Sequence, residues 1–260
     1  MQSNNPVFAR SEPLARSLQS SGPGYRGPAP SADDLSAMFA TPQRMTLDDV
    51  IVKTGLLLGV ILVTGTASWV LDLQLGVALL AGVVGFALAM VNIFKKQVSP
   101  PLVLAYAALQ GVFIGALSHA YNDQFNGIVV QAVLGTAAVF GAVLFGYRSG
   151  RLRATPKFTK IVTFGLIAMV GLVVVNLVIS LFVGGDALGI RGGNLPLSVL
   201  VSVGLIVFGA LTFVLDFDQA DKMVAAGVPE REAWRVSFGL VVGLVFLYLE
   251  ILRLLSYFRD

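Results

Sequence analysis

The segment at residues 158–183, FTKIVTFGLIAMVGLVVVNLVISLFV, decides the fold. From Ile161 to Val183 it runs 23 residues without a charge. A membrane-spanning helix needs about 20 mostly apolar residues. Working outward, six further apolar runs of similar length lie at 50–71, 75–94, 102–120, 127–147, 195–215 and 236–258. None alternates with the period of two of a barrel strand, and each is about twice a barrel strand's length. The composition agrees. The 260 residues are 56% hydrophobic and 13% charged, with a mean hydropathy of +0.81. Soluble chains carry roughly 25% charged residues. The 28 glycines also fit membrane helices. The expected fold is an all-α integral membrane protein of seven transmembrane helices. Short connections predict antiparallel packing of sequence neighbours.

Residues 1–45 differ from the rest. They hold six of the eleven prolines, with many Ser, Gly and Ala. Such a stretch cannot bury enough apolar surface to offset its ordering entropy, so it is expected to be a disordered cytoplasmic tail before a transmembrane domain at 46–260. No signal peptide is expected, because no short apolar core with a cleavage site precedes the first long run.

The cations set the orientation. With the tail inside, fifteen of the eighteen Lys and Arg lie on the cytoplasmic side. The exceptions are Arg191, Arg253 and Arg259. The opposite loops carry Asp72, Asp123 and Asp186. This is the positive-inside pattern, and it accounts for the pI near 9.3 without a nucleic-acid partner. The expected topology is multi-pass, with the N-terminus cytoplasmic and the C-terminus outside.

Several chemistries are excluded or disfavoured. There is no cysteine, which removes disulfides and thiolate sites. His119 is the sole histidine, so one chain cannot build a multi-His metal site. Ser118 and His119 are adjacent, and adjacent residues point apart on a helix, so no serine-protease pair is expected. No Lys lies in the seventh helix to form a Schiff base, and no phosphate-binding G-x-x-x-x-G-K-[ST] element occurs. Neither an enzyme nor a bound cofactor is expected.

Ionisable residues inside membrane helices are costly and are functional candidates by default. Asp216, in Leu215-Asp216-Phe217-Asp218-Gln219, follows 21 uncharged residues. It is the candidate cation-facing or titrating acid, and the candidate metal ligand, at a cytoplasmic pore mouth. A solvated helix end is the competing reading, and it is the preferred one for Asp218. Glu250 lies deeper in its helix, with Arg253 as its i+3 neighbour. Gln110 and His119 are secondary polar candidates, His119 as an interfacial residue or pH sensor. Gln110, Asn92 and Asn176 also suit hydrogen bonding between helices. Gly111 and Gly115 in G-x-x-x-G spacing suit close helix packing.

Residues 106–115 (YAALQGVFIG), 215–219 (LDFDQ) and 247–255 (LYLEILRLL), in that order within seven helices, resemble the Bax inhibitor (transmembrane Bax-inhibitor motif) family, in particular its bacterial branch. The resemblance covers about residues 46–260, plus the start Asn5-Pro6-Val7-Phe8. It implies the bacterial cytoplasmic membrane as the location, and a central last helix wrapped by the other six. It also implies a pH-sensitive calcium leak, since several members behave so, with calcium as the permeant ion and the bilayer as partner. Eukaryotic members suppress cell death, a role without meaning in a bacterium. The family's gate is a carboxylate pair, one on helix 6 and one on helix 7, sharing a proton when closed. The resemblance places Asp216 as the first acid. Matching the Leu-Tyr-Leu-acid string makes Glu250 the second; matching the Leu-Arg pair puts Gly243 there instead. Gly243 lies about 10 Å along the helix and Glu250 about 21 Å, which favours Gly243 beside Asp216 and leaves the pair incomplete. Gln110 stands where some relatives carry an acid, and a neutral amide is a weaker ligand for hard cations. Two other classes compete: a non-conducting scaffold regulating partner proteins or proteolysis, and a proton-coupled small-solute carrier. A carrier would show broken helices in matching repeats, and no repeat is visible.

Overall fold

The computed structural model describes residues 44–259, apart from 96, 185 and 187. Seven helices are long and apolar enough to cross a membrane: α1 (Leu47–Val70), α2 (Leu75–Phe94), α3 (Pro100–Gln124), α4 (Ile128–Arg148), α5 (Pro156–Val183), α6 (Leu195–Ala225) and α7 (Ala233–Ser256). A 3-10 turn, Glu230–Glu232, precedes α7.

Local chemistry sets the helix starts. Thr46 and Asp49 form a reciprocal capping box at α1. Thr155 and Asn194 cap α5 and α6, each followed by a proline in the first turn, where the missing N–H costs nothing. The α6 helix departs from expectation. It does not stop where its apolar run ends at Leu215 but continues to Ala225. Asp216 and Asp218 are therefore interior helical residues rather than a helix end. The Asp218–Lys222 pair at i,i+4 supports the extension outside the apolar layer.

The last helix is the core. α7 packs directly on α1, α3, α4 and α6, while α2 rests on α3 and α5 on α6. Two of the six surrounding helices thus pack mainly on a neighbour rather than on the central helix. Thirteen residues of α7 are buried, whereas α5 buries only Val162 and Asn176. The most intimate contact joins α1 and α3. A Cβ on Gly111 would fall on Thr64 Oγ1, and one on Gly115 would fall on the Gly65 carbonyl. Glycine at these points lets the two backbones touch. Ser68 donates to the Val112 carbonyl across the same seam at 2.9 Å.

At the end where α1 begins, the connections are tied together. The Met45 N–H donates to the Val228 carbonyl at 2.9 Å, and Met45 is 2% exposed. Lys53 pairs with Glu230 at 2.8 Å, and Arg231 donates to the Val98 carbonyl at 3.0 Å. Met45, expected in the tail, is thus packed against the bundle. The expected disorder of the tail concerns residues that, from 1 to 43, lie outside the described ones.

Candidate functional site

Two polar centres lie at opposite ends of α6. The first surrounds Asp216. It is a cavity of about 290 Å³ among α2, α6 and α7, whose polar lining is Asn92, Asp216, Gln219 and Arg235. Asp216 and Gln219 share a helix face at i,i+3. Asp218 and Asp221 turn away from it: Asp218 pairs with Lys222, and Asp221 accepts from the Tyr147 hydroxyl at 2.6 Å. The Asp216 carboxylate is half-buried and makes no hydrogen bond or ion pair among the described residues. Across the cavity Asn92 is 3% exposed, and neither polar atom of its side-chain amide has a partner among the described residues. Free polar groups of this kind are rare in folded proteins and call for an explanation in water, an ion or function.

The α7 wall of this cavity carries Arg235, Gly239 and Val242. No second carboxylate stands there. Gly243, the expected neighbour of Asp216, does not line the cavity; a Cβ on it would lie 2.8 Å from the ring of Phe213, one turn before Asp216 on α6. Among the described residues there is no group of three or more His, Asp or Glu that could hold a metal ion.

The second centre surrounds Glu250, 3% exposed on α7. Arg253 donates to it at 3.2 Å. A second guanidinium, from Arg191, spans both oxygens at 3.0 and 3.1 Å. Ser202 on α6 reaches the same carboxylate at 3.5 Å. Arg191 can do this because the α5–α6 loop folds around Asp186. That carboxylate accepts the backbone N–H groups of Ile190, Arg191 and Gly193 at 3.2, 2.6 and 2.9 Å, and the Asn176 amide at 2.9 Å. Gly192, with φ 134°, occupies backbone space that side chains rarely adopt. Burial pushes the Asp186 carboxyl up, but the hydrogen bonds from Gly193, Arg191, Asn176 and Ile190 outweigh it and hold the group below its ordinary 3.8.

Arg191, Ser202 and Asp186 were not among the sequence-level candidates. One signal pointed to Arg191: it is one of three cations on the wrong side of the charge split. All three turn out to be engaged. Arg191 and Arg253 hold Glu250, and Arg259 donates to the Asn126 carbonyl at 2.7 Å and to Gln131 at 3.0 Å.

The secondary candidates lie apart from both centres. Gln110 is buried against α2, near Gly85, and does not line the Asp216 cavity. His119 stands edge-on to Trp69 with ring centroids 5.0 Å apart, and its Nδ1 lies 3.4 Å from Asp72 and 3.6 Å from Asp123. Its neighbour Ser118 bonds to the Tyr248 hydroxyl at 2.6 Å instead. Asn176 orders a loop rather than joining two helices.

A family model described as Bax inhibitor 1 like matches residues 5–260, nearly the whole chain. An uncharacterized protein of Chlamydia muridarum (strain MoPn / Nigg) is 33% identical over 149 residues, a match covering 55% of this chain and 56% of that protein.

Proposed function

The chain belongs to the Bax inhibitor 1 like family, and from that premise we propose that it is a non-enzymatic cation leak of the bacterial cytoplasmic membrane, with calcium as the ion. One observation carries the reading: the Asp216 carboxylate opens, without a partner among the described residues, into a cavity at the end of the bundle where α1 begins. A conducting site must bind well enough to admit an ion and weakly enough to release it. A single carboxylate with Arg235 on the opposing wall meets that requirement better than a cage of acids. The Arg191–Glu250–Arg253 cluster closes the far end in this reading. A shared-proton latch needs two carboxylates, so the pH response rests on Asp216 alone. The tail and the cation-rich loops face the cytoplasm.

The test is calcium entry into liposomes holding the purified protein, read with a trapped indicator at pH 6 and pH 8. Wild-type protein should conduct, and differently at the two values. Asp216→Asn should lose the difference and at least about tenfold of the flux, corresponding to about 1.4 kcal/mol. Unchanged flux in Asp216→Asn would sink the role of this acid. No wild-type flux above empty liposomes would leave the non-conducting scaffold.

A further inference from the structure

A second and larger cavity, of about 650 Å³, lies between α1, α3, α4 and α7. Its mouth can be located from exposure. The lining residues on α1 and α4 include Leu62, 68% exposed, and Val133, 50% exposed. The floor, from α3 and α7, is buried: Ser118 is 3% exposed, Val245 7% and Tyr248 9%. α1 and α4 scarcely touch one another. The cavity is therefore a cleft that opens sideways between α1 and α4, toward the bilayer.

The cleft is built for an apolar occupant. Its buried hydroxyls are already satisfied: Ser118 and Tyr248 bond each other, and Thr136 donates to the Ala132 carbonyl at 2.7 Å. A cavity holds water only where polar partners await it, while a dry apolar cavity of about 150 Å³ accepts a benzene-sized molecule. This one is roughly four times larger. It follows α4 from Val129 to Phe140, about 16 Å. That is half of the ~30 Å hydrocarbon core, the depth of a single leaflet.

The interfacial end carries charge. Trp69 lines the cleft and packs against His119, which sits between Asp72 and Asp123. The two acid side chains are 83% and 64% exposed. With His119 neutral the group carries two negative charges, and with His119 protonated it carries one, so it is negative in either state. Arg259, the nearby cation, is held by Asn126 and by Gln131. Gln131 is two residues from both Val129 and Val133, on the face of α4 turned from the cleft.

We propose that the cleft between α1 and α4 binds one acyl chain of a bilayer lipid whose headgroup carries an ammonium, with Asp72 and Asp123 receiving that ammonium. A lipid with a net negative headgroup meets repulsion at the same place. The reading stands apart from conduction at Asp216, whose cavity shares only α7 with the cleft and lies toward the other end of that helix.

The experiment extracts the full chain in mild detergent from bilayers of equal phosphatidylethanolamine and phosphatidylglycerol and counts retained lipids by native mass spectrometry. One phosphatidylethanolamine per chain should survive, at least about fivefold over phosphatidylglycerol, the factor expected from one surface charge. Ala137→Phe projects a ring into the cleft and should abolish retention; Val133→Trp serves if that variant does not fold. The double variant Asp72→Asn with Asp123→Asn should keep a lipid but lose the headgroup preference. No retained lipid, equal retention of phosphatidylglycerol, undiminished retention in a folded cleft-filling variant, or a second copy of the chain covering the cleft would each overturn the proposal.

Discussion

Glu250 is held by two guanidinium groups and a hydroxyl while 3% exposed. Neutralising it leaves Arg191 with a charge and no counterion, and breaking one side of a buried pair typically costs about 3–5 kcal/mol. Glu250→Gln should therefore lower the melting temperature in detergent sharply. Arg191→Met should do nearly the same, and the double variant should cost less than the sum of the two. Strict additivity would show that the pair is not coupled. Asp216 should behave oppositely: among the described residues it has no partner to strand, so Asp216→Asn should leave the melt close to wild type. At this scale the sequence was partly readable. Asp216 stood out because 21 uncharged residues precede it, and depth along α7 separated it from Glu250. Arg191 could not be placed, because its contact depends on a loop whose path is fixed by Asp186 and Asn176. Only its position against the charge pattern hinted at a role.

The α5–α6 connection is an element in its own right, ordered by one carboxylate. Hydrogen bonds hold the Asp186 carboxyl below 3.8, so the folded state gains from its ionised form. That contribution is complete well above the unfolded value and is lost as pH falls through the lower folded one. Asp186→Asn should therefore melt below wild type at neutral pH, with the gap closing only as the solution is acidified below about 3.8. Thermal melts of both proteins from pH 7 to pH 3 check this; a gap constant across the range would refute it. The helices themselves were legible as apolar runs, since burial in lipid leaves little choice of backbone. Their ends were less so. The polarity that ends the apolar run of α6 does not end the helix, because Asp218 and Lys222 pair one turn apart. Apolar length measures the bilayer, and helix length is decided separately by capping and side-chain pairs.

For the whole molecule, the cation distribution predicts orientation. Reporter fusions at positions 97, 155 and 225 should read cytoplasmic, and fusions at 73, 124 and 188 should not. A periplasmic reading at 155 would reverse the scheme. The three cations that break the pattern are tied to Glu250, Asn126 and Gln131, so they are structural ties rather than topological signals. The central place of α7 came from the family resemblance and not from periodicity. Its buried face differs from the others in extent, and pattern alone does not say which of seven apolar helices stands in the middle. The length of α6 has a mechanical consequence. Its 31 residues make a rod about 46 Å long. Ser202, touching Glu250, and Asp216, facing the other cavity, ride on it about 21 Å apart. A ligand that draws one end along the axis must load the other, and linkage makes the debt mutual: whatever factor the first event imposes on the second, the second imposes on the first.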